Sequence, residues 1–574
     1  MVSGRPTCQF VRELPVGPAI DDPARRARRA RLAEGQFDVL VIGGGITGAG
    51  VALDAAARGL TVALVEQDDF AAGTSSRSTK LVHGGLRYLP LGDLRQVRED
   101  LAERAWLLRN VPYLVRPLPF VLPLYRRARR PLGIDLPPIL GAATPLGVSA
   151  GLWAYDMLGG RRSGGPHRAL APDAARMLVP SIRLDGLRRA YLYHDAAADD
   201  ARLVMAVVRT ARSRGAVVLN YARAVELVRG GGRVAGARVI DGPSGEAVTI
   251  TARTTVNAAG VWAGDVAALA GPPRFHLRRA KGVHLVVRAD RLLAGRAALV
   301  LPETDDGRIA FVVPWEGAAL LGTTDTEWTG RPDAAAADAS DVSYLLDHAA
   351  RFLAVPVRRD DVVSAFAGLR PLIASTDDRA TSGLSRRHEI FSGPPGFVSI
   401  VGGKLTTYRR MAEDAVNHIL GRRDGTPSPT RGLSLDGTAG FMSALPALRA
   451  RALRAGLSRG TLRHLLRAYG ARTARVLDLI GERPGLGSPI ADNHPDVAAE
   501  VVLAAREDMA VSVEDVLLRR TRLGHVVPDQ CGTAAPAVAA LMAAELGWSC
   551  EITAAQVEAY RRAAARLALP VRRP

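Results

Sequence analysis

A glycine-rich turn between two apolar runs constrains the fold of this chain more than any other feature. The segments, in order, are an apolar run (37–42), the motif Gly43-x-Gly45-x-x-Gly48, a helical pattern (49–58) and a second apolar run (61–65) ending on Glu66. Strand, turn, helix and strand in this order predict a βαβ unit that binds a dinucleotide. The glycines allow the tight turn, the approach of a pyrophosphate and close helix–strand packing, and the helix N-terminus favours the phosphates.

Glu66 narrows the choice of dinucleotide. It lies 23 residues after Gly43, where a carboxylate can accept hydrogen bonds from both ribose hydroxyls of an adenosine. A carboxylate at this place also disfavours a 2′-phosphate, so we do not expect NADP.

The segment that follows, residues 73–88, reads GTSSRSTKLVHGGLRY. In the order and spacing of its residues it resembles the FAD-dependent glycerol-3-phosphate dehydrogenases. Serine, threonine and glycine also favour polar surface loops, but a loop does not explain His83, Arg87 and Tyr88 just beyond. A fingerprint near the N-terminus of a long chain also favours FAD over NAD.

Two later segments resemble the same family. The sequence GGKLTTYR follows an apolar run (397–401) and predicts a second strand–Gly–Gly–helix turn, with a helix from Lys404 to residue 420. Its dipole would point at the flavin edge that becomes negative on reduction. The sequence SVEDVLLRRTRLG (512–524) resembles the small C-terminal domain of these enzymes. The resemblance covers roughly 37–560.

The predicted fold is α/β, with a discontinuous Rossmann-like FAD-binding domain, a β-rich substrate domain and a C-terminal all-helical domain. We expect a basic flexible leader over 1–36, an FAD-dependent oxidoreductase region over 37–435 and the helical domain over 436–574. Within the region, the FAD-binding pieces span about 37–120, 195–265 and 385–425, and the substrate domain spans mainly 270–385. A strand ending in Asn-Ala-Ala-Gly260 resembles the returning strand of FAD domains.

Lysine is rare in this chain. The sequence has 76 Lys plus Arg, of which only Lys80, Lys281 and Lys404 are lysines. Such an Arg-rich, Lys-poor composition suggests a GC-rich bacterial genome. Lysines retained in it are expected where a compact ammonium is needed rather than a planar fork, although codon accident is the alternative for each one alone.

The net charge of +19 is compatible with nucleic acid, an anionic membrane surface or an anionic substrate. No nucleic-acid module is recognisable, so we expect no nucleic-acid partner. Three cysteines without metal spacing argue against a disulfide scaffold, and we expect no metal. The cysteine pattern fits a reducing, cytoplasmic location, and the N-terminus lacks the apolar region of a secretory signal.

A basic cluster precedes an uncharged apolar stretch, residues 136–155. Its prolines and glycines argue against a membrane-spanning helix. A basic patch beside an apolar element can dock on the inner face of the cell membrane without crossing it, and a buried helix under a solvated loop is the alternative. The basic residues are Arg126, Arg127, Arg129 and Arg130.

The resemblance implies roles for the site residues. His83 or Arg370 is the catalytic proton acceptor, and the choice between them stays open, because His83 can equally orient the flavin. The expected ligands of the phosphorylated substrate are Arg87, Tyr88, Arg370 and Lys404. Thr323 and Thr324 are weaker candidates. The expected FAD-binding residues are Gly43, Gly45, Gly48, Glu66, Thr74, Ser75, Ser76, Gly260, Gly402, Gly403, Leu405 and Thr406.

The activity implied by the resemblance is oxidation of sn-glycerol 3-phosphate to dihydroxyacetone phosphate in glycerol catabolism, with electrons passed to a membrane quinone. A soluble oxidase that uses O₂ would carry the same motifs. A flavoprotein that modifies or binds RNA is a second class, motivated only by the basic charge. Action on amines fits the cationic residues poorly. The oligomeric state stays open, with a homodimer as one candidate.

Overall fold

The computed structural model describes residues 22–86, 89, 92–126, 144–160, 165–292, 295–302, 309–374, 387–422 and 426–570. Its strands are β1 (Gln36–Ile42), β2 (Val62–Val65), β3 (Leu81–Val82), β4 (Val115–Tyr125), β5 (Arg168–Leu170), β6 (Leu187–Ala198), β7 (Val217–Leu219), β8 (Ala222–Gly230), β9 (Arg233–Asp241), β10 (Ala247–Asn257), β11 (Leu277–Val287), β12 (Ala298–Leu301), β13 (Ala310–Trp315), β14 (Ala318–Gly322), β15 (Thr326–Trp328), β16 (Val362–Ile373), β17 (His388–Ser392) and β18 (Phe397–Gly402).

The helices are α1 (Pro23–Glu34), α2 (Ile46–Ala57), α3 (Leu94–Asn110), α4 (Thr144–Gly159), α5 (Pro172–Leu178), α6 (Asp200–Ser213), α7 (Ala263–Ala268), α8 (Ala339–Ala350), α9 (Tyr408–Ile419), α10 (Phe441–Arg454), α11 (Arg459–Tyr469), α12 (Thr473–Glu482), α13 (Ala498–Arg506), α14 (Leu523–Val526), α15 (Ala535–Leu546) and α16 (Cys550–Ala565). A π-helix, Asp515–Arg520, precedes α14.

The first sheet contains the predicted dinucleotide unit. Its eight strands include the path β17-β18-β10-β1-β2-β7, in which β1 is parallel to both β2 and β10. The last four residues of β1 are all buried, as expected for a parallel strand covered on both faces. Helices α6 and α9 pack against α2. The returning strand β10 lies beside β1, as the sequence predicts.

The N-terminal helix α1 differs from the expectation of a flexible leader over 1–36. Arg25 and Arg29 are buried in it, and both form ion pairs with Asp241 at the end of β9. Leu32 is fully buried, and α1 contacts β7 and β10. Arg25 and Arg29 therefore pair with one carboxylate and hold the helix against the first sheet. Residues 1–21 lie outside the described part of the chain.

The second sheet has ten strands and draws on more of the chain than residues 270–385. Its path is β15-β11-β14-β13-β12-β4-β6-β3, with β16 paired to β11 and β5 to β6. Strands β4 and β6 pair along their whole length, so the boundaries expected near 120 and 195 are displaced. The helices α3 and α6 adjoin these two strands in sequence. Each strand, however, pairs with a strand that lies far away in the chain, so its place in the second sheet is not a local property.

The C-terminal part is helical from α10 onward, as predicted. Two apolar cores lie within it, one among α10 to α13 and one among α13, α15, α16 and the π-helix. Ser512 lies at the start of the segment that leads into the π-helix, and its Oγ accepts from the Asp515 N–H over 3.2 Å. The residues that follow adopt π rather than α geometry.

Helix α4 covers part of the apolar stretch 136–155, whose first residues lie outside the described part of the chain, as do Arg127, Arg129 and Arg130. Leu152 and Tyr155 are buried. Leu146, Trp153 and Met157 lie on the opposite face of α4 and are 75%, 57% and 79% exposed. Among the described residues, no helix combines the length and apolarity needed to cross a bilayer.

Candidate active site

The turn between β1 and α2 requires glycine at two positions. Gly43 has φ +116°, and a Cβ on it would lie 2.5 Å from the carbonyl oxygen of Ala258. A Cβ on Gly48 would overlap the carbonyl oxygen of Gly43. The glycines therefore permit the close approach of β1, β10 and α2 that the sequence predicts.

Gly45 and Ser75 meet at the N-terminus of α2. Gly45 caps the helix, and the Ile46 N–H donates to Ser75 Oγ over 2.9 Å. A Cβ on Gly45 would lie 3.1 Å from that hydroxyl oxygen and has no other neighbour within 4 Å. The Ile46 N–H at the helix N-terminus thus already donates to an oxygen atom, and open space lies beside this contact. This arrangement fits a pyrophosphate.

The predicted segment Thr74–Ser76 forms a 3₁₀ turn that links the two sheets. Thr74 Oγ1 donates to the carbonyl oxygen of Leu369 in β16 over 2.6 Å. Ser76 is buried, and its carbonyl oxygen accepts a hydrogen bond from Lys80. The segment therefore lies between the glycine turn and the second sheet.

Glu66 lies beside the glycine turn, at the end of β2. Its Oε2 accepts from the Gly44 N–H over 2.6 Å, and its Oε1 accepts from the Asp68 N–H over 2.9 Å. Burial raises the pKa of the Glu66 carboxyl to about 7, although both hydrogen bonds oppose the shift. The position suits an acceptor for ribose hydroxyls.

Gly260 lies on the other side of β1. It follows β10 with φ +57° and begins a 3₁₀ turn that ends at Trp262. The Trp262 ring faces Gly73, where a Cβ would lie 3.2 Å from it. The two segments therefore meet at the carboxyl end of β1 and β10.

The predicted strand precedes the second glycine turn, but the helix that follows the turn begins later in the sequence than predicted. Gly402 and Gly403 have φ values of +78° and +87°. Residues 404–407 form a turn in which Thr406 is buried, and α9 begins only at Tyr408 rather than at Lys404. The Lys404 carbonyl accepts from the Thr407 N–H, so a turn replaces the expected first helical turn.

Lys404 is anchored by α3. Its Nζ lies 2.7 Å from Oδ2 of Asp100, a fully buried carboxylate that also accepts from Gln96. Burial raises the pKa of Asp100, and the Lys404 ammonium opposes that shift. The sequence did not indicate this partner.

Arg370 projects from β16 across β11. Its Nη1 donates to the Thr324 carbonyl and to Asp325 Oδ1, and its Nη2 donates to Thr323 Oγ1, each over 3.2 Å. The guanidinium lies over Gly282, where a Cβ would be 2.7 Å from Nη2. Thr323 and Thr324 thus contact the predicted site residue.

His83 follows β3 directly and is half-buried. Arg87 and Tyr88 lie outside the described residues, so their predicted role stays a prediction.

The structure adds His284 of β11, which the sequence reading did not single out. Its Nε2 lies 2.9 Å from Thr79 Oγ1, and its ring stacks on Phe366 with centroids 5.0 Å apart. Burial, Arg370 and Lys80 together hold the pKa of His284 well below its usual value, so the ring is neutral. The sequence feature that could have indicated His284 is its position as a lone histidine within the apolar run of residues 283–287.

Among the described residues, His464, Asp496 and Glu500 are the group whose side chains could share a metal ion. His464 Nε2 lies 2.8 Å from Glu500 Oε1 and 3.4 Å from Asp496 Oδ1. Burial opposes a charge on His464, but the two carboxylates outweigh it and raise its pKa to about 9. A protonated histidine between two carboxylates accounts for this group, which lies in the helical domain. The expectation of no metal stays an expectation.

Two sequence families match the chain. Residues 38–409 match the family described as "FAD dependent oxidoreductase", and residues 428–552 match the "C-terminal domain of alpha-glycerophosphate oxidase". The glycerol-3-phosphate dehydrogenase of Mycobacterium leprae is 39% identical over 547 residues, covering 94% of this chain and 90% of that protein. This chain belongs to the FAD-dependent glycerol-3-phosphate dehydrogenase family.

Solved structures agree with this family. The glycerol-3-phosphate dehydrogenase of Bacillus halodurans, complexed with FAD, has 30% sequence identity and a TM-score of 0.77 and covers 97% of this chain and 99% of its own. The L-alpha-glycerophosphate oxidase of Mycoplasma pneumoniae, at 17% identity and a TM-score of 0.53, covers 68% and 96% respectively and shows the fold alone. The predicted family, fold class and FAD cofactor are confirmed.

Proposed function

We propose that this dehydrogenase oxidises sn-glycerol 3-phosphate to dihydroxyacetone phosphate and passes the electrons to a membrane quinone. The observation that carries the proposal is that the chain segments bearing two cations, Arg370 and Lys404, approach each other beside the second glycine turn. Strands β16 and β18 contact each other. A Cβ on Gly402 would lie 3.5 Å from Ile373, so the chain segments bearing Arg370 and Lys404 approach each other at this edge.

The FAD site is assigned to the first sheet. Gly43, Gly45 and Gly48 form the turn for the pyrophosphate, Ser75 lies at the helix N-terminus, and Glu66 accepts from the ribose. The remaining expected residues lie around the same edge: Thr74, Ser76, Gly260, Gly402, Gly403, Leu405 and Thr406. FAD, when bound, supplies the acceptor for the hydride that leaves the alcohol carbon.

The substrate phosphate is a dianion and requires cationic donors. Arg370 offers a planar fork, whereas Lys404 offers a compact charge held in place by Asp100. Arg87 and Tyr88 complete the proposed set. The same cations favour the negative charge that develops on the alcohol oxygen as its proton leaves.

The proton of the alcohol goes to His83 in this proposal, because a neutral imidazole accepts a proton near pH 7. Arg370, the alternative catalytic residue, stays protonated, so its part would be to stabilise the developing alkoxide rather than to take the proton. His284 is neutral and beside Thr79, which makes it a further candidate for holding the proton. Replacing His83 by Asn should remove the acidic limb of the pH profile of kcat/KM, whereas an unchanged profile would transfer the role of proton acceptor to His284.

The quinone part of the proposal rests on α4. Its exposed apolar face consists of Leu146, Trp153 and Met157, and a basic cluster that begins at Arg126 precedes this helix in the sequence. Apolar side chains beside basic residues favour docking on an anionic bilayer, where a quinone is found. We propose peripheral attachment to the inner face of the cell membrane.

Turnover of glycerol 3-phosphate by the purified protein with an artificial electron acceptor tests the activity. The acceptor is tested by anaerobic reduction with substrate, followed by rapid mixing with a soluble quinone or with O₂. Fast reoxidation by quinone and slow reoxidation by O₂ supports the dehydrogenase. The reverse order supports the soluble oxidase.

A further inference from the structure

Asp69 joins the nucleotide end of the first sheet to the C-terminal helical domain. It lies three residues after Glu66 and is fully buried. Its carboxylate accepts from Arg519 Nε over 2.6 Å and from the Arg520 Nη1 and Nη2 groups over 2.7 and 2.9 Å. The Asn220 amide is a further donor, at 3.2 Å. One carboxylate thus receives two guanidinium groups from the π-helix.

The segment that contains Asp69, residues 66–71, also forms one wall of the glycine turn. The Ala71 N–H donates to the Gly44 carbonyl oxygen over 3.2 Å. The Phe70 ring is packed so closely on Gly44 that a Cβ there would lie 2.5 Å from it. Glu66 accepts from the Gly44 N–H. A shift of Asp69 would therefore move both Glu66 and the turn.

The π-helix holds its two arginines rigidly. Asp515 Oδ1 accepts from Arg519 Nη2 and from the Tyr221 hydroxyl, each over 2.5 Å. Arg520 Nη2 also donates to the Asp508 carbonyl over 2.7 Å. All of these side chains are buried, and π-helical turns frequently occur at functional sites. The arginines are thus held in place independently of Asp69.

We propose that Asp69, Arg519 and Arg520 are positioning residues through which the helical domain holds residues 66–71 in the conformation that binds the adenosine of FAD. The inference rests on the proposed placement of the adenosine at Glu66. A bidentate Arg–carboxylate pair gives both energy and direction, and removing one member leaves a buried charge without its partner. Loosening this contact therefore weakens the cofactor site from a distance.

The test measures FAD dissociation from the holoenzyme by the return of flavin fluorescence, together with the thermal midpoint. Asp69→Asn should raise the dissociation rate at least about tenfold, and Arg520→Lys by a smaller factor because lysine keeps the charge but not the fork. Glu66→Gln tests the adenosine placement itself.

Asp436→Asn is the matched control, since Asp436 accepts from Arg209 of α6 over 2.6 Å and thereby also joins the helical domain to the rest of the chain.

The control should lower the thermal midpoint and leave FAD dissociation within about twofold of wild type, because Asp436 is hydrogen-bonded to Arg209 and Thr210 of α6 and not to residues 66–71. If Glu66→Gln accelerates dissociation but Asp69→Asn and Arg520→Lys do not, the positioning role is overturned and the adenosine placement stands. If Glu66→Gln has no effect, the placement fails and the inference fails with it. If Asp436→Asn accelerates FAD dissociation as much as Asp69→Asn does, the effect reflects weaker docking of the helical domain in general, and the proposal is overturned. Should Asp69→Asn not fold, Arg520→Lys decides alone.

Discussion

Lys404 and Asp100 form an ion pair between the second glycine turn and α3, with Nζ 2.7 Å from Oδ2. Because Asp100 is fully buried, the ammonium is held at one place while its turn lies at the proposed substrate site. An arginine would bring a longer, planar group to the same carboxylate.

Lys404→Arg should therefore reduce kcat/KM although it keeps the charge. We expect at least a tenfold loss, about 1.4 kcal/mol of transition-state stabilisation, measured with glycerol 3-phosphate and an artificial acceptor. Arg288→Lys is the control, because Arg288 forms an exposed ion pair with Asp290. Wild-type kinetics in Lys404→Arg would remove Lys404 from the substrate site.

Arg370→Lys should be equally harmful for the opposite reason. Lysine cannot reproduce the fork that contacts Thr323, Thr324 and Asp325 and that we propose also faces the substrate. A loss of at least about tenfold in kcat/KM is expected. Full activity would show that a single cationic charge suffices at this position.

Gly45→Val should abolish FAD binding. The backbone of Gly45 has φ −76°, which valine tolerates, so the effect arises from a branched side chain in the space for the pyrophosphate. The purified variant should lack the flavin absorbance bands. Gly264→Ala, on α7 in open space, should keep them. Full flavin content in Gly45→Val would contradict the placement of the nucleotide.

FAD affinity should depend on pH through Glu66. Burial raises the pKa of this carboxyl to about 7, and only the deprotonated form accepts hydrogen bonds on both oxygens. Affinity is therefore highest above pH 7 and falls as the pH decreases through 7, by up to about tenfold per pH unit. Titrations at several pH values should show this slope in the wild type and a flatter one in Glu66→Gln. A pH-independent wild-type affinity would argue against Glu66 as the ribose acceptor.

Replacing Trp153 and Met157 by Ser should weaken binding to anionic vesicles. Burying part of each side chain in a bilayer contributes about 1 kcal/mol, so each loss is expected to lower partitioning about fivefold. Gln in place of Arg126, Arg127, Arg129 and Arg130 should also weaken binding and reduce its dependence on salt. Met442→Ser is the control, since Met442 is 72% exposed on α10. If the wild type does not sediment with anionic vesicles even at low salt, the soluble oxidase is favoured.

The dinucleotide turn could be predicted from the sequence because its determinants are local. Gly43, Gly45, Gly48 and Glu66 lie within one βαβ unit, where backbone geometry alone relates strand, turn and helix. The same holds for α6, whose N-terminus is capped locally, because the Asp199 side chain accepts from the Arg202 N–H. The family resemblance added two predictions that the local pattern does not contain: FAD as the cofactor and Arg370 as a site residue.

The three lysines separate what the sequence determined from what the tertiary structure decided. Their rarity predicted specific positions, and each is paired with a buried carboxylate: Asp200 for Lys80, Asp341 for Lys281 and Asp100 for Lys404. The identity of those partners could not be predicted, because contacts such as Lys404–Asp100 and Asp69–Arg520 join residues hundreds of positions apart. A periodic pattern reports the local backbone and its buried face, whereas pairing of distant segments depends on how the whole chain packs. The place of β4 and β6 in the second sheet, the packing of α1 against the first sheet and the contact of His284 with Thr79 were therefore decided by tertiary structure alone.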